Sequence, residues 1–75
     1  MNIDLCPDTT NLPEGHCYLE FKNRVGIEMK ATVDTDQTIE ARTMIEQLYP
    51  GCEISRASLI RFEGGELTFE TPINQ

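Results

Sequence analysis

Alternation of apolar and polar residues marks two neighbouring segments of the chain as strands. In residues 16–23, HCYLEFKN, Cys17, Leu19 and Phe21 alternate with more polar positions, and the pattern returns in residues 27–34, IEMKATVD. Side chains of a strand point alternately to the two faces of a sheet, so each segment has one apolar and one polar face. The two segments are predicted to be adjacent strands that bury one face.

The loop between these segments, Arg24-Val25-Gly26, fixes how they pair. A three-residue hairpin loop needs a left-handed backbone at its last position, which glycine adopts without steric cost. This geometry sets Asn23 opposite Ile27. The predicted pairs are Cys17 with Val33, Leu19 with Ala31 and Phe21 with Met29 on the core side, and Glu20 with Lys30 and Lys22 with Glu28 outside.

A helical period follows in DTDQTIEARTMIEQLYPGC, residues 34–52. Asp34 or Asp36 is predicted to cap the helix, because a carboxylate can accept from the free amides of the first turn. Pro50-Gly51 is predicted to end it. The helix projects Ile39 away from its apolar side, so Ile39 is expected to be exposed. The predicted core stripe is Ala41, Met44, Ile45 and Leu48, with Thr38 and Tyr49 at its margin.

Two more strands are predicted after the helix, CEISRASLIRF at 52–62 and LTFET at 67–71. Gly64-Gly65 between them is a two-residue hairpin signal, which sets Phe62 opposite Leu67 and Ile60 opposite Phe69. Regular alternation along the third strand divides its side chains between the faces. It predicts Ile54, Ile60 and Phe62 in the core and places Ala57 and Leu59 on the other face with Tyr18.

Together these elements predict an α+β fold of ββαββ order, with one helix packed on one face of a small, mainly antiparallel sheet. Residues 1–75 are expected to form a single domain. Residues 1–15 are read as an extended arm in which Ile3 and Leu5 alternate well enough for a short edge strand, residues 16–71 as the core and 72–75 as a tail. The order of the strands in the sheet stays open.

The charge of the chain restricts its partners. Thirteen acidic residues against six lysines and arginines give a net charge of −7. Nucleic-acid binding depends on clustered basic residues that neutralise phosphates, so direct binding to nucleic acid is not expected. If the partner is charged, a basic protein is favoured. The alternative is that acidity only keeps a small protein soluble.

No motif of catalysis or metal binding stands out. Cys6, His16, Cys17 and Cys52 could in principle supply zinc ligands, but no cysteine pair has the close spacing of structural zinc sites, and no metal or cofactor is predicted. His16 and Cys17 are neighbours in a strand and point to opposite faces, which argues against a catalytic dyad. Gly64-Gly65 precedes a strand, whereas phosphate loops precede a helix. The chain is therefore not expected to be an enzyme.

The cysteine count and the N-terminus suggest where the protein works. Three cysteines are an odd number, and MNIDLCPD lacks the basic and apolar regions of a secretory signal. Free thiols in a reducing cytoplasm are expected. No segment approaches the roughly 20 apolar residues that a membrane-spanning helix needs, so membrane association is not expected.

The segment VDTDQTIEARTMIEQLYPG followed by CEISRASLI resembles small uncharacterised proteins of bacteriophages and cyanobacteria. In these proteins a hairpin leads into a helix that carries an E-A-R segment and ends at Y-P-G, and the similarity covers roughly residues 16–62. The resemblance implies a phage or mobile-element origin and a role in modifying a host process. Small acidic phage proteins include inhibitors of CRISPR effectors, some of which mimic nucleic acid. No functional residue is carried over from the resemblance.

These observations favour a small acidic, non-enzymatic protein-binding module that modulates a host protein, with a basic nucleic-acid-binding protein as the favoured type. Two contact surfaces are predicted, and the second would equally suit a homodimer. Alternative functions are an accessory or structural subunit of a larger assembly and a thiol- or metal-dependent regulator. The candidate contacts are Ile39, Thr43 and Glu46 on the outer helix face, and Tyr18, Leu59 and Arg61 on the open sheet face.

Overall fold

A computed structural model describes residues 3–5 and 12–71. These residues form five strands and one helix. The five strands make one antiparallel sheet of order β1-β3-β2-β4-β5. The predicted α+β fold and its ββαββ order are confirmed, as is the short edge strand of the arm, which pairs with β3. Most of that arm and the predicted tail, residues 72–75, lie outside the described residues. The elements are β1 Ile3–Leu5, β2 Cys17–Lys22, β3 Glu28–Val33, α1 Thr38–Leu48, β4 Glu53–Glu63 and β5 Glu66–Glu70.

The hairpin of β2 and β3 has the predicted register at every pair. Gly26 has a φ of 89°, so its backbone is left-handed as the three-residue loop requires. The Asn23 amide donates to the Ile27 carbonyl oxygen at 3.0 Å. The Asn23 side chain also accepts from the amides of Val25 and Ile27, at 3.1 and 3.0 Å. Local turn chemistry therefore sets this register.

Strand β4 contains a bulge that regular alternation along the sequence does not predict. Phe21 of β2 lies opposite Ile54, and Glu20 lies opposite Arg56, so Ser55 is an extra residue in β4. An extra residue reverses the alternation of side chains along the rest of the strand. The Ser55 hydroxyl donates to the Glu20 carbonyl oxygen at 3.1 Å, which gives the extra residue a hydrogen-bond partner on β2.

The bulge corrects the predicted faces of the third strand. Ala57 and Leu59 pair with β2 residues whose side chains point towards the helix, so both lie on the helix face and not on the open face. Ile60 packs on the opposite side of the sheet, and Phe62 shares that side and is 44% exposed. The faces predicted for these four residues are wrong because they assumed unbroken alternation, although Ile60 is buried as predicted. The prediction for Ile54, which precedes the bulge, is confirmed.

Both faces of the sheet carry a small core. The core between the helix and the sheet contains Cys17, Leu19, Phe21, Ala31, Val33, Ala41, Ile45 and Ala57. The core on the opposite face contains Leu12, Tyr18 and Ile60, with Leu67 and Phe69 packed against them. The expectation of one covered and one open face is therefore wrong, because Leu12 and the β4–β5 hairpin cover part of the second face.

The helix begins later than the predicted caps allow. Gln37 is the N-cap residue and makes no capping hydrogen bond with its side chain, so the predicted cap at Asp34 or Asp36 is wrong. Thr35 organises the entry to the helix. Its hydroxyl accepts from the Gln37 amide at 3.2 Å and donates to the Glu40 carboxylate at 3.1 Å. This local turn fixes the path of the chain into the helix, in place of a side-chain cap.

The helix ends where Pro50-Gly51 predicts. Gly51 has a φ of 84°, and the Cys52 amide donates to the Tyr49 carbonyl oxygen at 3.1 Å. Tyr49 packs its ring 5.2 Å from that of Phe21, centroid to centroid. Leu48, predicted to be in the core, is 55% exposed, whereas Tyr49, predicted at the margin of the stripe, packs against the core.

Candidate functional site

Tyr18 lies on the sheet face opposite the helix, as predicted, but it is not available for binding. Its side chain is fully buried, and its ring lies 5.1 Å from that of Phe69. Its hydroxyl donates to the Glu20 carboxylate at 2.6 Å, a short charge-assisted hydrogen bond. Tyr18 therefore joins β2 to β5 from inside the second core.

Arg56 completes this buried arrangement and was not singled out from the sequence. Its guanidinium carbon lies 4.5 Å from the ring centroid of Phe69 and 5.9 Å from that of Tyr18. Its Nε donates to the Ser58 hydroxyl at 3.3 Å, and Ser58 is hydrogen-bonded to Thr71 at 2.9 Å. Cation–π contacts of this kind contribute about 0.5–2 kcal/mol. Only the bulge places Arg56 on this face, so alternation gave no signal for it.

The second predicted surface is therefore not one surface. Tyr18 lies on one face of the sheet, whereas Leu59 lies on the other and is partly buried. Arg61 is exposed, and its guanidinium lies 3.5 Å from the carboxylate of Glu70. Such an exposed ion pair contributes about 0–1 kcal/mol, so it leaves Arg61 free to exchange partners.

The first predicted surface does form one side of the helix. Ile39 is 69% exposed, as predicted, and Thr43 and Glu46 are exposed on the same side. The Thr43 hydroxyl donates to the Ile39 carbonyl oxygen at 3.1 Å, so it is engaged within its own helix. Ile39 and Glu46 are the side chains that this surface offers to a partner.

Carboxylates gather at one end of the sheet. Cys17 begins β2 and pairs with both Val33 and Leu59, so the loop before β2, the loop after β3 and the β4–β5 turn extend from the same end. The helix also starts there, directly after the β3 loop. We call this region the acidic end; its carboxylates are Glu14, Asp34, Asp36, Glu40, Glu63 and Glu66.

Some of these carboxylates are held in place by contacts. Glu14 accepts a hydrogen bond from the Phe62 amide at 3.2 Å, and the Asp34 carboxylate lies 3.4 Å from His16 Nε2. Glu63 and Glu66 are directly paired across the hairpin, so two like charges face each other. The Glu63–Glu66 pair is therefore electrostatically unfavourable, whereas Glu14 and Asp34 have favourable contacts.

The opposite end of the sheet carries cations among its acids. Lys22 lies between Glu28 of β3 and Glu53 of β4, and Arg24 lies in the β2–β3 turn. A shallow cavity of about 760 Å³ opens at this end. It is lined by three acidic and two lysine side chains, and by Leu5, Phe21, Met29, Ile54 and Ser55. Its mixed charges give it no clear preference for a charged ligand.

The two described cysteines are free and poorly suited to nucleophilic chemistry. Burial raises the pKa of the Cys17 thiol to about 11, and the nearby charge of Asp36 acts in the same direction. Burial, followed by the charge of Glu46, also raises the pKa of Cys52. A thiol with a raised pKa holds little reactive thiolate at neutral pH. Cys6, which the sequence analysis considered with them, lies outside the described residues.

Within residues 3–5 and 12–71, no three His, Cys, Asp or Glu side chains are grouped closely enough to hold a metal ion. No helix in the described part of the chain is long and apolar enough to cross a bilayer. No protein-family model matches the chain, and neither the curated proteins nor the solved structures include a significant match. The phage or mobile-element origin implied by the resemblance stays a prediction.

Proposed function

We propose that this protein is a small, non-enzymatic binding module that docks its acidic end against a basic surface of a partner protein. The observation that carries the proposal is the segregation of charge. Six carboxylates lie at the acidic end with Arg61 as a nearby cation, whereas at the opposite end cations such as Lys22 and Arg24 stand among a similar number of glutamates. An evenly acidic surface would serve solubility, but a segregated one produces a field that orients a basic partner.

The acidic end also carries two exposed apolar side chains, which can add buried apolar contacts to a charged interface. Ile39 lies in the first turn of the helix, and Phe62 lies near the tip of the β4–β5 hairpin. They are 69% and 44% exposed. Binding energy in protein interfaces comes mainly from a few such side chains inside a polar rim. The two side chains lie on opposite faces of the sheet, so in this proposal the carboxylates guide the approach and Ile39, on the outer side of the helix, anchors the complex.

A nucleic-acid-binding protein of a host cell is the favoured class of partner, because the surface of such a protein carries the clustered lysines and arginines that match the acidic end. The module would then modulate that protein by covering part of its basic surface. The raised pKa values of Cys17 and Cys52 argue against a thiol nucleophile, which fits a binding module that does not use its cysteines for catalysis.

The proposal is tested by capture from a host lysate with charge-matched variants. Glu63→Gln combined with Glu66→Gln removes two charges from the acidic end, whereas Glu28→Gln combined with Glu53→Gln removes two from the opposite end. The first variant should capture at least about tenfold less partner, and the second should capture as much as the original protein. Capture should weaken between roughly 50 and 500 mM salt, because salt screens exposed charges.

A second pair of variants tests the apolar anchor. Ile39→Asp should abolish capture, whereas Val25→Asp, at a position 72% exposed in the β2–β3 turn, should leave it intact. Equal capture by all four variants would overturn the proposal. Equal loss in the two charge variants would show that net charge, and not the acidic end, attracts the partner.

A further inference from the structure

Strand β5 forms one edge of the sheet. It pairs with β4 through Glu66–Glu70, and no other strand of the described residues pairs with its outer side. An unpaired strand edge presents backbone donors and acceptors that can hydrogen-bond to another chain. The docking of a partner can therefore involve backbone pairing as well as side chains.

The register identifies which backbone groups point outward. The two-residue loop makes Glu63 and Glu66 a hydrogen-bonded pair, and such pairs alternate with non-hydrogen-bonded ones along the hairpin. Ile60 and Phe69 then form a non-hydrogen-bonded pair. Consistent with this, the Ile60 amide donates to the His16 carbonyl oxygen on the other side, at 2.9 Å. The amides and carbonyls of Phe69 and Leu67 accordingly point away from β4.

The charges on β5 determine which kind of strand could pair with this edge. If two copies paired antiparallel about Thr68, Glu66 of each would lie opposite Glu70 of the other. Parallel pairing in register would place each glutamate opposite its equivalent. Like charges directly opposite one another destabilise a sheet, so a second copy of this chain is a poor occupant in the registers that pair the full length of β5.

We propose that the outer edge of β5 accepts an extended basic segment of the partner as a sixth, antiparallel strand. This inference rests on the proposed function and specifies how the partner docks. Lysine or arginine would lie opposite Glu66 and Glu70, and apolar residues would lie opposite Leu67 and Phe69. The recognised pattern is basic, apolar, polar, apolar, basic. Backbone hydrogen bonds supply affinity in this mode of recognition, and alternate side chains supply specificity.

The test uses a synthetic peptide with the core Lys-Val-Thr-Val-Lys and blocked ends, added to the full chain and followed by backbone amide NMR. The largest shifts, and slowed amide exchange, should fall on Leu67 and Phe69. A peptide methylated at its two valine nitrogens keeps every charge but cannot form the ladder. It should bind at least about tenfold more weakly, because the edge hydrogen bonds are lost.

A protein variant gives an independent readout. Leu67→Pro removes an outward amide and leaves the ladder to β4 intact, which edge strands tolerate. It should lose peptide binding and keep the dispersed spectrum of a folded protein. If it unfolds, the comparison between the two peptides still decides the question.

The outcomes separate the inference from the proposed function. Equal binding of both peptides, or shifts located away from β5, would overturn edge pairing and leave charge-led docking standing. Failure of both peptides to bind, with partner capture from the lysate still dependent on Glu63 and Glu66, would also overturn edge pairing alone. Failure of the peptides and of lysate capture together would overturn both. A stable dimer of the unmixed protein in which the amides of Leu67 and Phe69 are protected from exchange would contradict the argument that like charges keep a second copy off this edge.

Discussion

Cys17 behaves as a packing residue. It is fully buried at the start of β2, where it pairs with Val33 on one side and Leu59 on the other. The sequence predicted this role from alternation, and the structure confirms it. The raised pKa follows from the same burial, because forming a thiolate in the core would place an unpaired charge among apolar side chains.

The buried thiol should make stability depend on alkaline pH. The pKa of Cys17 is about 11 in the folded protein, against an ordinary value of 9.0, so the unfolded chain releases this proton first. The contribution to stability is present in full below about pH 9 and is lost as the pH rises towards 11, by up to about 3 kcal/mol. For Cys17→Ala, the free energy of unfolding measured with urea should fall less steeply with pH across this range. Identical slopes for the two proteins would contradict the assignment.

The two hairpins are determined by local sequence, whereas the bulge is not. Both hairpin registers were predicted correctly, because each depends on a short loop with glycine at a position of positive φ. The bulge at Ser55 was missed, because nothing local distinguishes the extra residue. Its place is set by the need to bury Ile54 and Ala57 on the same face.

Deletions should reveal the bulge directly. Removing Ser55 restores regular pairing with Ile54 opposite Phe21 and Arg56 opposite Glu20, so the protein should stay folded and lose about 1 kcal/mol with the hydroxyl hydrogen bond. Removing Ala57 instead should unfold the protein or cost more than about 3 kcal/mol, because regular pairing would then place Arg56 opposite Leu19 in the core. Urea unfolding measures both, and equal effects of the two deletions would argue against the bulge.

At the scale of the whole molecule, the protein has two small cores on a single sheet and an uneven distribution of charge. The second core uses Leu12 and the β4–β5 hairpin to cover Tyr18. The covered residues no longer offer the open apolar surface on which a homodimer was predicted. The homodimer itself stays a prediction. The segregated carboxylates are the feature with the clearest functional consequence, because Glu63 and Glu66 oppose each other directly.

Repulsion at the acidic end should be measurable as a salt-dependent stability. At low salt, Glu63→Gln with Glu66→Gln should be more stable than the original protein by about 0.2–1 kcal/mol, since it removes a like-charge cross-strand pair. The control Glu28→Gln with Glu53→Gln should be no more stable, because both glutamates lie opposite Lys22. The gain should disappear near 1 M salt, where the screening length is about 3 Å. Thermal unfolding at two salt concentrations provides the measurement.

Among the candidate contact residues, those that depend on local geometry were predicted correctly, and those that depend on pairing between strands were not. Ile39 was predicted from helical geometry alone, and its exposure is confirmed. Tyr18, Leu59 and Arg61 were grouped on one face by alternation across two strands, and the bulge separates them. Arg56 and the acidic end could not be found in advance, because each depends on residues that are distant in sequence.

The sequence by itself determined the elements, the two hairpin registers, the end of the helix and the net charge. Each follows from short-range rules, namely side-chain periodicity, loop glycines, a Pro-Gly stop and a sum over residues. Only the tertiary structure decided the strand order, the position of the bulge, the second core and the gathering of carboxylates at one end. These depend on which apolar faces are buried against one another, and that competition is settled by packing over the whole chain.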